Sequence, residues 1–320
     1  MEMNDLSLNE LNARQGQALD SSKRESMEYD VLIVGAGPAG LSAAIHLKQT
    51  AIKDDIDLSI CVLEKGSEIG AHILSGAVIE TSSLDKLIPN WKERESPIKT
   101  KVKKDKLSFL GPNWSIRIPN FILPPMMKNH GNYIVSLGEV CKWLGEVAEG
   151  LGVEIYPGFS AAEVLFDKNN RVKGVATGDM GVSRDGTAKD SWEPGMELHA
   201  KYTLFSEGAR GSLSKFLIDS YQLSNGKDFQ KYAIGIKELW EISSENHNEG
   251  LVEHSMGWPL SDGTSGGSFL YHFGKNLVSI GYVVHLNYSN PFVSPFEEFQ
   301  QFKIHPSVRK ILKDGKRIGY

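Results

Sequence analysis

Apolar residues along the chain fall into short runs and periodic stretches that define its elements. Asp30-Val-Leu-Ile-Val34 is short, β-branched and stopped by glycine, the pattern of a strand buried in a parallel sheet. From Pro38 to about Gln49 the apolar positions Leu41, Ala44, Ile45 and Leu47 suit a helix, and Leu58 to Glu64 forms a second strand beyond the charged loop 53–57. Strand, helix and strand at this spacing predict a βαβ unit. Helical periodicity returns over Leu137 to Leu151, through Val140, Leu144 and Val147. A strand at 152–156 and a meander through 161–166 and 172–177 follow, and Lys201 to Phe205 reads as another strand. Alternating runs at 233–239, 268–273 and 277–284 predict the sheet of a second domain.

Two stretches break the pattern. Residues 98–130 hold Phe109, Trp114, Ile118, Phe121, Ile122, Leu123, Met126 and Met127, interrupted by Gly111, Pro112, Pro119, Pro124 and Pro125. That proline density forbids a regular helix and predicts a hairpin or an irregular loop. The polar, glycine-bearing stretch 183–195 predicts a surface loop. Ordered structure is expected from Tyr29, with residues 1–28 as a disordered leader.

Composition narrows the classes. A chain of 320 residues holds one large domain or two ordinary ones, and 40% hydrophobic with 23% charged residues is normal for a globular protein with a core. A net charge of −5 argues against a nucleic-acid surface, but leaves open a membrane surface reached through uncharged apolar loops. No run approaches the roughly 18–20 apolar residues of a spanning helix. The leader carries Glu2, Asp5, Glu10, Asp20, Glu25 and Glu28 against Arg14, Lys23 and Arg24, so it matches neither a transit peptide nor a signal peptide and reads as bacterial in style. Cys61 and Cys141 both lie in apolar surroundings, as packing residues. Without a Cys-x-x-Cys there is no disulfide framework, dithiol redox centre or cysteine-rich metal site, and a reducing compartment is the simpler reading.

The strongest chemical signal is Gly35-Ala-Gly37-Pro38-Ala39-Gly40. Gly35 permits a tight turn out of the strand, Gly37 lets a pyrophosphate approach the backbone, and Gly40 lets the helix pack closely on the sheet. Pro38 suits the first helical turn, whose free N–H groups and positive dipole end face the phosphates. The second strand ends in Glu64, whose carboxylate is placed to hydrogen-bond an adenosine ribose. This motif does not separate FAD from NAD. Downstream residues favour FAD: the turn from Glu64 and Lys65 to Gly70, then His72, Ser75 and Gly76 for the isoalloxazine, and Glu207-Gly208 in the turn 206–211. His72 as a surface residue and 208–211 as a plain loop are the bland alternatives.

The strings Gly-Ala-His-Ile-Leu-Ser-Gly (70–76), Asn-His-Gly-Asn-Tyr-Ile-Val (129–135), Gly-Ile-Lys-Glu-Leu-Trp (235–240), Gly-Trp-Pro-Leu (257–260), Gly-Gly-Ser-Phe-Leu-Tyr-His (266–272) and Asn-Pro-Phe-Val-Ser-Pro-Phe-Glu-Glu-Phe (290–299) resemble the electron transfer flavoprotein–ubiquinone oxidoreductase family. The resemblance runs from about Tyr29 to Tyr320. It implies an α/β fold, with a Rossmann-like FAD-binding domain of the glutathione-reductase type (29–75 and 131–215) interleaved with a mixed α+β ubiquinone and membrane-surface domain (76–130 and 216–305). Residues 306–320 would begin the return to the FAD domain.

The implied reaction passes electrons from electron transfer flavoprotein through FAD and a 4Fe-4S cluster to ubiquinone. Gly266 and Gly267 match the backbone that contacts the quinone headgroup, a hairpin turn being the alternative. The apolar segment 109–127 and the stretch from Gly70 to Trp91 would form a monotopic membrane surface, on the cytoplasmic face of a bacterial inner membrane or on the mitochondrial inner membrane in eukaryotic relatives. The family's cluster is held by four cysteines near its C-terminus, which neither Cys61 nor Cys141 matches. The chain is therefore expected to end before the iron–sulfur domain, to bind FAD poorly or not at all and to lack quinone reductase activity. No residue is assigned as nucleophile or general base, since the protein's task is positioning and electrostatics. An FAD-dependent hydroxylase, a geranylgeranyl-reductase-like enzyme and a non-enzymatic scaffold remain competing readings.

Overall fold

The computed structural model describes residues 19–73, 76–261 and 263–320. In chain order the elements are β1 (Ser26–Val34), α1 (Pro38–Lys53), β2 (Ile60–Glu64), β3 (Ala77–Ile79), α2 (Ser82–Leu87), β4 (Thr100–Lys101), β5 (Lys104–Leu110), β6 (Ser115–Ile118) and β7 (Tyr133–Val135). Next come α3 (Leu137–Gly150), β8 (Glu154–Pro157), β9 (Ala161–Phe166), β10 (Val172–Thr177), β11 (Met180–Val182), β12 (Ala188–Glu193), β13 (Glu197–Phe205) and α4 (Ser212–Ser220). The last are β14 (Ala233–Glu241), β15 (Leu251–Gly257), β16 (Gly266–Phe273), β17 (Leu277–His285), α5 (Pro295–Ile304), α6 (Pro306–Leu312) and β18 (Lys316–Gly319). They form two compact units, each from two segments: Met1–His72 with Cys141–Asp228, and Ile73–Val140 with Phe229–Tyr320.

The first unit is built on a six-stranded sheet in the order β8-β2-β1-β13-β10-β9. β8, β2, β1 and β13 run parallel, and β10 and β9 add an antiparallel meander. Leu32, Cys61, Leu63, Val175 and Leu198 fill its core. Burial pushes the Cys61 thiol up to about 12 and the Cys141 thiol to about 11, which keeps both protonated and assigns them to packing.

Order begins earlier than Tyr29. β1 starts at Ser26 because its pairing with β13 does, and Arg24 forks onto both oxygens of Glu163 at 2.9 and 2.8 Å. The loop expected over 183–195 is instead mostly a hairpin of β11 and β12, turned at Asp185-Gly186 and tied down by Asp179, which accepts from Trp192 Nε1 and Gly195 N.

In the second unit a seven-stranded sheet runs β18-β14-β17-β16-β15-β5-β6, and β3, β7 and β4 form a smaller sheet. Three expected boundaries move. Residues 216–228, expected in the second domain, belong to the first unit, where Leu217 of α4 enters the core with Phe216 and Tyr221 packed against it. Residues 131–140 belong here because β7 pairs with β3 and β4. Residues 306–320 belong here because Val308 and Leu312 of α6 enter this core and β18 pairs with β14. The proline-rich region resolves into the β5–β6 hairpin and two 3₁₀ turns, Asn120–Ile122 and Pro125–Met127.

His272 is 1% exposed, and its Nδ1 accepts from the Asn248 amide at 3.2 Å. Burial, then His247 and Lys106, hold its pKa down from 6.5 to about 4. Between those values the unfolded chain binds a proton that the folded one refuses. Stability is thus full above about pH 6.5 and falls as pH drops toward 4, by about 3 kcal/mol for this group. Urea midpoints measured from pH 7.5 to 4 should show this decline, and His272→Gln should flatten it; equal slopes in both proteins would refute the assignment.

Candidate functional site

In the first unit β1 delivers the chain into the glycine turn. Gly35 takes φ +107°, and a Cβ there would lie 2.5 Å from the Ser206 carbonyl oxygen. At Gly40 a Cβ would fall 2.0 Å from the Gly35 oxygen, so helix and turn touch backbone to backbone. Gly37 faces open space, with nothing within 4 Å of where its Cβ would be. The bond from Leu41 N to the Gly37 oxygen closes the first turn of α1, which leaves the Ala39 and Gly40 amides among the free N–H groups of the helix start. Pro38 occupies N1. These are the groups a dinucleotide pyrophosphate needs.

Glu64 stands at the end of β2, where its Oε2 accepts from Ala36 N at 3.0 Å and its Oε1 from Gly66 N at 2.7 Å. The carboxylate therefore pins the glycine turn to the next one, and its remaining lone pairs are available to a ribose. Lys65 and His72 are exposed. Ser75 lies outside the described residues.

Gly208 holds φ +81° in the turn after β13. Glu207 beside it does something the sequence did not suggest. Its carboxylate accepts from Ser214 N at 2.6 Å, from Ser214 Oγ at 2.7 Å and from Leu213 N at 3.3 Å, so it caps α4.

In the second unit, Gly266 and Gly267 lie within β16, paired with Val284 and Val283, and are not a hairpin turn. Both need glycine for space. A Cβ on Gly266 would meet the Val283 oxygen at 2.3 Å, and one on Gly267 the Ser255 oxygen at 2.7 Å. On the β15 side the ladder runs only from Val252↔Tyr271 to Ser255↔Ser268, so both glycines lie past its last pair.

The registers put Gly235, Val283 and Gly267 in one row across the sheet face, and Met256, Phe109 and Ile116 in another, the two rows meeting one step past the last β15–β16 pair. The hairpin end of the second is apolar and open: Phe109 and Ile116 are exposed, and the Trp114 ring stands 6.1 Å from that of Phe109. Phe121 and Met126 in the following 3₁₀ turns are 82% and 91% exposed. Large apolar groups so exposed, with several in adjacent turns, mark a surface that meets something apolar. The stretch from Gly70 to Trp91 contributes no exposed large apolar residue among those described, and Trp91 is core.

The next row along the same face is Lys237, Gly281, Phe269, His254 and Leu107. Lys237 Nζ donates to the Gly76 carbonyl at 3.0 Å, and burial pushes its pKa down. Gly76 itself has φ +91°, and a Cβ there would strike Ser279 Oγ at 2.0 Å. The third row, Leu239, Ser279, Tyr271 and Val252, is closed. Val252 and Tyr271 pack there in one cluster with Val102 and Ile134 from the smaller sheet's segments. The face thus passes from an open apolar row to a covered one.

The reverse face carries a cleft of about 390 Å³ lined by Lys106, Arg117, Glu253 and several serines, and His254 also contributes to its lining although its ring bonds Tyr271 on the other face. Lys106 pairs with Glu253 and Ser255 with Ser268, so much of its polarity is satisfied internally.

The fold is one shared by FAD-dependent oxidoreductases. A solved geranylgeranyl bacteriochlorophyll reductase-like protein from Thermoplasma acidophilum superposes with a TM-score of 0.62 at 18% identity, over 92% of this chain and 65% of that one. The myxobacterial chondrochloren halogenase CndH, an FAD-dependent halogenase, gives 0.58 at 16% identity, over 91% and 61%. Residues 33–94 match the model of the NAD(P)-binding Rossmann-like domain, and residues 232–320 that of the ETF-QO ubiquinone-binding domain.

By sequence the chain belongs to the electron transfer flavoprotein–ubiquinone oxidoreductase family. It is 55% identical to the Pseudomonas aeruginosa protein of that name over 93% of this chain and 54% of the relative. The human mitochondrial protein is 51% identical over 93% and 48%. The chain therefore spans about half the length of the curated relatives it matches.

Proposed function

We propose that this chain carries the FAD-binding and ubiquinone-binding parts of an enzyme that passes electrons from reduced electron transfer flavoprotein to ubiquinone at a membrane surface. The first unit is then a glutathione-reductase-type FAD domain. Its glycine turn and the start of α1 hold the pyrophosphate, and Glu64 holds the ribose. Lys65, His72, Glu207 and Gly208 of the same unit complete the assigned contacts, with Glu207 acting through the α4 cap. When bound, FAD supplies the redox chemistry; the chain supplies orientation and charge. The 4Fe-4S cluster implied by the family is not assigned to Cys61 or Cys141, which are packed in a hydrocarbon environment.

One observation carries the quinone half of the reading: the open apolar row of Ile116, Phe109 and Met256, which leads toward Gly267 just past the last β15–β16 pair. A hydrophobic quinone arriving from lipid would meet apolar side chains first, then backbone groups bared by two glycines. No helix among the described residues is long and apolar enough to cross a membrane, so attachment would be through such a surface. The cytoplasmic face of a bacterial inner membrane is the proposed location.

Flotation with phospholipid vesicles tests this reading. The chain should float, and Phe121→Asp with Met126→Asp should leave most of it at the bottom while its melting temperature stays unchanged. A chain that remains at the bottom would favour a soluble flavin enzyme of the hydroxylase or reductase kind.

A further inference from the structure

The open sheet face contains one polar pair with no part in the reading so far. His254 Nε2 and the Tyr271 hydroxyl lie 2.8 Å apart, and their rings meet edge to face with centroids 5.4 Å apart. The pair joins two rows of differing exposure. Tyr271 belongs to the covered row and is 8% exposed, whereas His254 belongs to the intermediate row and is only half-buried.

Register places the pair relative to the glycines. His254 is opposite Phe269, and Gly267, Phe269 and Tyr271 alternate down the same face of β16. His254 is thus one row from Gly267, roughly 7 Å along the strand direction. Gly281, opposite Phe269, keeps that path low, since a Cβ there would strike the Phe269 ring at 2.2 Å.

A structural histidine in the same sheet looks different. His272 points to the reverse face and is fully enclosed. His254 stands at the boundary between covered and open rows, with a partner that can take either hydrogen-bonding role.

We propose that the His254–Tyr271 pair donates the hydrogen bond that anchors one carbonyl of the quinone, while the Gly266–Gly267 backbone faces the other end of the ring. This rests on the quinone reading of that face. The quinone ring then lies beside Phe269, whose ring is stacked on Tyr271 at 4.9 Å and has the Lys237 ammonium 5.7 Å from its centroid. Tyr271 fixes the imidazole tautomer that leaves an N–H or O–H for the carbonyl. Such a donor also favours the reduced ligand, because charge builds on that oxygen as electrons arrive. Charged groups near the pair come from two other strands: Asp105 on β5, whose field reaches both residues, and Lys237 on β14, in the same row as His254. Burial holds the His254 imidazole down, toward the neutral form that a tautomer-fixed donor requires.

The test uses the whole chain and a short-tailed ubiquinone in phospholipid vesicles, with tryptophan quenching for affinity and the infrared carbonyl stretch for hydrogen bonding. The unchanged protein should bind saturably and shift one carbonyl band to lower frequency. Tyr271→Phe and His254→Ala should each weaken binding about tenfold and abolish the shift, and His254→Gln, which keeps a donor, should restore part of it. Saturable binding with the band shift intact in Tyr271→Phe and His254→Ala would overturn this inference alone. Absence of saturable binding by the unchanged protein would remove the quinone reading, and this inference with it.

Discussion

Gly40→Ala should cost the first unit about 3 kcal/mol of stability, read as a drop in urea midpoint, and should weaken binding of ADP in parallel. The added methyl would sit 2.0 Å from the Gly35 carbonyl oxygen and 3.1 Å from Ile33 Cγ2. Neither neighbour can give way. Gly35 is held by the hydrogen bond from its N–H to the Leu63 oxygen at 2.8 Å, and the Ser206 carbonyl oxygen lies 2.5 Å from where its Cβ would be, so the turn has no room to shift. Ile33 is one residue from the end of β1 and fully buried. Relief would require α1 to lift from the sheet, exposing Leu41, Ala44 and Ile45. The same lift would displace the helix start from the phosphate position. Gly37→Ala is the control: its Cβ meets nothing, so stability should hold while ADP affinity falls. A wild-type midpoint for Gly40→Ala would show that helix and turn are not in contact as described.

The second large effect is expected at Glu238. This carboxylate is 3% exposed on β14 and accepts from Lys303 Nζ at 2.9 Å through both oxygens, from Trp240 Nε1 at 2.8 Å and from Arg317 Nη1 at 3.2 Å. Burial alone would raise its pKa, but Lys303, Trp240 and Arg317 together hold it below the usual carboxylate range. Glu238→Ala would strand the Lys303 ammonium between the rings of Phe299 and Trp240, 4.8 and 5.8 Å away. Leaving a buried charge uncompensated costs about 3–5 kcal/mol. Thermal unfolding of the variant should show that loss, and the double variant Glu238→Leu, Lys303→Met should recover most of it, because the charge is removed with its partner. Equal destabilisation in single and double variants would mean that the acid works through packing and not through its charge pair.

Glu238 and Lys237 are adjacent in the string 235–240, and their separate fates show where reading the sequence stops. Alternation in a strand sends neighbours to opposite faces. Glu238 turned toward α5 and became part of the scaffold, while Lys237 turned to the open face and holds Gly76. One residue's shift in register would have exchanged them. Likewise β15 was not legible: Leu251-Val-Glu-His-Ser-Met-Gly257 lacks a clean apolar alternation because both of its faces carry polar work, Glu253 and Ser255 bonding Lys106 and Ser268 on one and His254 bonding Tyr271 on the other. Helices α4, α5 and α6 were missed for a related reason, since each is short and its apolar positions cover only part of a turn.

By itself the sequence determined the βαβ entry, because Gly35, Gly37, Pro38 and Gly40 leave that backbone few alternatives, and local sterics are written residue by residue. It determined the family, through strings spread along the chain, and the presence of an apolar, proline-broken surface at 109–127. Only the tertiary structure decided which residues share a face. The row from Ile116 to Met256 and its neighbour from Leu107 to Lys237 join strands as much as about 150 positions apart in the chain, and pairing at that distance follows from sheet register. It also decided that Glu207 caps a helix, that residues 306–320 complete the second unit's sheet, and that His254 meets Tyr271. Each is a long-range or cross-strand contact, selected by how buried faces fit together and not by any pattern within one segment.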